Sequence, residues 1–176
     1  MFEELKRKYA HFVIRRKYLK KQNESLEFNK AVSNAKEFLV ILPESEIDFA
    51  NSFEIIRYLQ IHKKELTLFL SESRHKELPN EKDFRFISFH PDQISKFFLP
   101  RKNLFSRFSD KKFDVVIDLN RHENTFFSAI SCIASSGLKV GFRKNRSEEY
   151  YNLLFDSKQT EPLAAYSKFL EHLRMF

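Results

Sequence analysis

Residues 113–142, FDVVIDLNRHENTFFSAISCIASSGLKVGF, constrain the fold more than any other stretch of the chain. Val115-Val116-Ile117 is an unbroken apolar run bounded by charge, the pattern of a parallel strand buried on both faces. Asp118, Asn120 and Arg121 end it. Phe126, Phe127, Ala129, Ile130, Ile133 and Ala134 then supply the apolar face of a helix, and Gly137 falls where a left-handed turn would stop it. Leu138–Phe142 is the returning strand. Two parallel strands so close in sequence require a crossover, and such crossovers are right-handed almost without exception, so this part of the chain is a βαβ unit.

The rest extends the same architecture. Phe38-Leu39-Val40-Ile41-Leu42 reads as a strand ended by Pro43, and the loop 43–48 feeds a helix over about 49–62 with Phe49, Phe53, Ile56 and Leu59 or Tyr58 toward the core. Glu65–Leu70 is a second strand. Phe84–Phe89 alternates polar and apolar residues, as an edge strand does, and His90-Pro91 closes it. Pro100 divides residues 92–112, with Leu104, Phe105 and Phe108 placed beneath the sheet. After Pro162 a last helix carries Leu163, Tyr166, Phe169, Leu170 and Leu173. The expected fold is a three-layer, Rossmann-like α/β domain with a mainly parallel sheet of about five strands. Its 176 residues, 42% apolar, suffice for one such core. With only Gly137 and Gly141 present, no glycine-rich phosphate loop exists.

Charge is unevenly placed. Residues 1–21 hold Lys6, Arg7, Lys8, Arg15, Arg16, Lys17, Lys20 and Lys21 against Glu3 and Glu4, a local +6 out of the chain's net +7. Phe2, Leu5, Tyr9, Phe12 and Leu19, with Val13 beside them, recur at helical spacing, so residues 2–21 read as an amphipathic helix with a cationic back. The chain divides into this basic helix and a polar connector, 1–34, and a single domain, 35–176. The cations can face solvent, contact RNA or ribosomal phosphates, or lie on an anionic membrane while the stripe inserts; the stripe can equally pack on its own domain. One cysteine, Cys132, and six histidines without ligand spacing give no expectation of a metal or cofactor. No apolar run is long enough for a membrane span and no secretory leader is visible, which places the expected location in the cytoplasm, including the inner face of the membrane.

The order of elements resembles the N-terminal, acceptor-side half of glycosyltransferase family 9, the lipopolysaccharide heptosyltransferases. Val40-Ile41-Leu42-Pro43-Glu44-Ser45-Glu46-Ile47-Asp48 lies without a gap on that family's V-I-R-x-[DS]-S-x-G-D motif, although Leu42 replaces the arginine and Ile47 the glycine. Phe113–Asn120 and Val140-Gly141-Phe142 match its FDxVIDLxG and IGF patterns. The resemblance spans about 37–145 and implies a catalytic role for Asp48 and a sugar acceptor as ligand. Family members are about twice this length, their second half binding the sugar nucleotide, so it also implies a half-domain that is not catalytic alone. The chain is similar, too, to short uncharacterised bacterial proteins with a basic helix and one such domain.

Open parallel sheets bind ligands beyond the carboxyl ends of their strands, where strand order reverses. That rule gathers Glu44, Ser45 and Asp48 from the first loop, His90 from the third strand, and Asn120, Arg121, His122 and Glu123 from the fourth. Asp48 could act there as a base on an acceptor hydroxyl, with His90 or His122 beside it. It could equally do no more than complement the start of a helix.

Overall fold

In a computed structural model, residues 2–19, 32–79, 81–156 and 161–176 are described. Six strands pair in parallel as one sheet: β1 (Glu37–Ile41), β2 (Glu65–Ser71), β3 (Arg85–Phe89), β4 (Lys112–Asp118), β5 (Ser135–Phe142) and β6 (Leu153–Phe155), in the order β3-β2-β1-β4-β5-β6. Strand order reverses between β1 and β4, where Ile41 lies opposite Asp118. β3 is an edge strand, as its alternation predicts. The sixth strand was not expected, since three residues are too few to show a period.

The helices are α1 (Phe2–Val13), α2 (Glu46–Ile61), α3 (Lys102–Phe105), α4 (Thr125–Ile133) and α5 (Pro162–Leu173). The sheet grows one way from β1 through α2 and the other way from β4 through α4, so crossovers of one hand must put these helices on opposite faces. They do. Phe49, Ile55, Ile56 and Leu59 of α2 share a core with Phe38, Val40, Val115 and Ile117, together with Tyr166, Phe169 and Leu173 of α5. Phe126, Phe127 and Ile130 of α4 pack with Leu39, Ile41, Phe69 and Val116 on the other side.

Two boundaries move from their expected places. α2 begins at Glu46, with the Ser45 hydroxyl accepting from the Asp48 amide at 3.5 Å, which puts Asp48 inside the first turn rather than in a loop. α4 ends at Ile133, and Gly137 sits within β5 without a positive φ. Among the residues expected beneath the sheet, Leu104 and Phe108 are buried, but Phe105 is partly exposed and packs against Tyr18.

α1 also departs from expectation. It continues as a π-helical turn, Ile14–Tyr18, closed by a bond from the Leu19 amide to the Ile14 carbonyl, and the helix ends there rather than at residue 21. The side it buries is not the large apolar stripe. Ala10, Val13 and Ile14 meet Leu99, Ala129, Cys132, Tyr150 and Tyr151 in a third core, while Phe2, Leu5, Tyr9 and Phe12 remain 81%, 68%, 51% and 56% exposed. Ala10 lets the helix lie close to α4, while Phe2, Leu5 and Phe12 are turned outward. Lys20, Lys21 and most of the connector lie outside the described residues.

Candidate functional site

Where strand order reverses between β1 and β4, two ion pairs occupy the carboxyl edge of the sheet. Asp48, on the first turn of α2, and Arg121, just beyond β4, meet there: Arg121 Nε donates to Asp48 Oδ1 at 2.6 Å, with side chains 12% and 5% exposed. The Tyr166 hydroxyl of α5 donates to the Leu119 carbonyl at 2.6 Å and brings the last helix against the same loop. Burial, with the Asp48 charge adding to it, raises the Tyr166 phenol pKa.

The second pair centres on Asp118, fully buried at the end of β4. Its Oδ1 accepts from the Asn120 amide at 3.0 Å and from Asn120 Nδ2 at 2.7 Å. Its Oδ2 accepts from Lys144 Nζ and the Tyr151 hydroxyl, each at 2.5 Å. Lys144 Nζ also donates to the Asn120 carbonyl at 2.9 Å. Asp118 thus accepts four hydrogen bonds within this cluster, as a buried charge requires. Burial first, then the Asp118 charge, holds the Tyr151 phenol well above its usual range. Gly141 gives Tyr151 its room: a Cβ there would stand 3.3 Å from the Tyr151 ring, close enough that the ring would have to move by a few tenths of an ångström.

Other expected members are not brought in. His90 ends an edge strand three strand spacings from β4, roughly 14 Å away, where its Nδ1 accepts from the Asp92 amide at 3.4 Å to cap a short turn. His122 is exposed. Glu44 is exposed as well, although nearby protein raises its carboxyl pKa against the opposing pull of Arg74. Ser45 serves as the cap of α2. No cluster of three or more possible metal ligands occurs among the described residues.

Sequence reading missed Lys144, Tyr151, Tyr150 and His11. His11 is buried where α1 crosses the carboxyl ends of β4 and β5. Its Nδ1 shares a 2.6 Å hydrogen bond with the Tyr150 hydroxyl, and its Nε2 lies 3.2 Å from Glu123. Arg15 donates to Glu149 at 2.6 Å alongside. Burial, seconded by Arg146, lowers the His11 pKa against the pull of Glu123. The only hint in the sequence was a histidine within an otherwise apolar stretch, Ala10–Ile14.

The remaining surface of α1 is cationic and aromatic. Lys6, Arg7, Arg16 and Lys17 have no acidic partner among the described residues, whereas Lys8 pairs with Glu4 at 3.0 Å. Lys6 stands 5.4 Å from the centre of the Phe2 ring and Arg16 stands 5.9 Å from that of Phe12. Among the described residues no helix is long and apolar enough to cross a membrane.

No curated protein matches the chain in sequence. The model of a family described as a family of unknown function (DUF6913) matches residues 6–176, which takes in the ion-paired crevice, the docked face of α1 and the last helix alike. The chain therefore belongs to the DUF6913 family.

Proposed function

We propose that this protein is a non-enzymatic docking module: a half-domain of glycosyltransferase family 9-like build, cytoplasmic, that uses α1 to hold an anionic surface. One observation carries the reading. Phe2, Leu5 and Phe12 of α1 are exposed, with cations beside Phe2 and Phe12, while Ala10, His11, Val13 and Ile14 do the packing. A helix that existed only to complete the core would bury Phe2, Leu5 and Phe12 first, because burying each is worth about 1.5–3 kcal/mol. The purified chain should be retained on heparin at low salt and elute as salt rises. Arg7→Glu/Arg16→Glu/Lys17→Glu should shift elution to markedly lower salt, and unchanged elution would remove the reading.

A transferase remains the second reading, favoured by the meeting of Asp48 and Arg121 at the reversal of strand order. The Asp48 carboxylate is buried and engaged by a guanidinium, an arrangement that supports a structural role for it over that of a base waiting for an acceptor. Incubation with sugar nucleotides should give no transfer or hydrolysis. Turnover that Asp48→Ala abolishes would put catalysis in place of docking.

A further inference from the structure

We infer that the surface held by α1 is an anionic lipid bilayer, and that the turn 95–98 is its second anchor. The inference rests on the docking reading above and adds the partner. The turn is built tightly: the Ser95 amide donates to the Leu99 carbonyl at 2.8 Å, the Phe98 amide to the Ser95 carbonyl at 2.9 Å, and the Leu99 amide to Ser95 Oγ at 3.2 Å. An antiparallel bridge between Ile94 and Pro100 closes its base. Within it Phe98 has φ 59°, a region that bulky residues seldom occupy and that is held only where the surroundings impose it.

What that conformation achieves is placement. Phe97 stands 4.9 Å from Tyr9, Phe98 lies 5.4 Å beneath the Arg7 guanidinium, and Lys96 is 5.4 Å from the Phe97 ring. Phe97 and Phe98 are half-buried, so the turn sets two partly open rings against Tyr9 and Arg7 of α1, with a further cation, the exposed Lys96, beside Phe97.

Geometry chooses among possible occupants. At about 3.6 residues per turn, Phe2, Leu5, Tyr9 and Phe12 share one line along α1, with Lys6 on one flank and Lys8 on the other. Phosphates of a nucleic acid would be met best by cations all along the contact line, but here that line is apolar from Phe2 to Phe12, with a cation, Arg16, only at its far end. A bilayer interface wants this order: apolar groups at the acyl boundary and flanking cations at the headgroups. A second copy of the chain would bring two cationic helices together, which opposes pairing.

Flotation of the intact chain with vesicles tests this. It should rise with vesicles of mixed phosphatidylcholine and phosphatidylglycerol and not with phosphatidylcholine alone. Phe12→Ser and Phe98→Gly should each lower partitioning about tenfold and leave heparin elution unchanged. The second substitution suits the positive φ, so folding is preserved. Heparin retention without vesicle binding, vesicle binding indifferent to both substitutions, or selective capture of RNA that survives them would overturn the bilayer assignment while leaving docking intact. Loss of heparin retention in the unaltered chain would remove both.

Discussion

At the carboxyl edge of the sheet, Asp48, Arg121, Asp118 and Lys144 pair with one another inside the fold. On α1, Lys6, Arg7, Arg16 and Lys17 lie at the surface with no acidic partner among the described residues. The first set is bound by burial, so any partner from outside must compete with an ion pair already desolvated. The second set is exposed to water and salt, and among the described residues an external anion meets no carboxylate already paired with these cations. Position in a fold of this type therefore does not reveal by itself where a ligand binds. The edge that topology favours is stitched, whereas on α1 the cations Arg7, Arg16 and Lys17 are exposed.

Breaking the stitched side should cost far more than altering the open side. Asp118→Ala leaves the Lys144 ammonium buried without a counter-charge and should lower stability by about 3–5 kcal/mol, read in urea unfolding. Arg121→Ala removes the partner of Asp48 at a less deeply buried pair and should cost about 2–3 kcal/mol. Gly141→Ala pushes a methyl group toward the Tyr151 ring and should cost about 1–2 kcal/mol; a smaller loss would show that the ring can shift. At the junction of the two regions, acid should loosen α1. His11 faces Tyr150, Glu123, Arg146 and Glu149, and its folded pKa is lowered, so its contribution is full above the ordinary value near 6.5 and is lost as pH falls toward the folded value. Proteolysis near residue 19 should accelerate over that range and become indifferent to pH in His11→Gln. Last, Arg16→Glu/Lys17→Glu should change stability by no more than about 0.5 kcal/mol, and a larger loss would mean that these cations belong to the fold after all.

Much of the fold could be read from the chain because buried parallel strands advertise themselves as apolar runs. Val115-Val116-Ile117 and Phe38–Leu42 were recognisable for that reason, and Pro162 marked the start of α5. The site was less legible. Asp114 and Asp118 both fall in the pattern that suggests a transferase, yet each serves architecture. Asp114 accepts from the Lys36 and Glu37 amides at 2.7 and 3.0 Å and so fixes the start of β1, and these bonds lower its pKa. Asp118 anchors Lys144 and Tyr151, whose distance along the chain gives no clue to the contact. The face of α1 was misjudged for a related reason: periodicity finds the most apolar side of a helix, whereas packing here selects the side with Ala10, His11, Val13 and Ile14.

The way α1 is fastened has a consequence for biosynthesis. His11 and Arg15 grip Tyr150 and Glu149, partners 139 and 134 positions further along. On a translating ribosome α1 therefore emerges long before its berth exists, and its greasy, positively charged side is free to meet whatever lies near the exit tunnel throughout that interval. A segment made early is thus among the last to settle, and a nascent-chain partner has that interval in which to engage it.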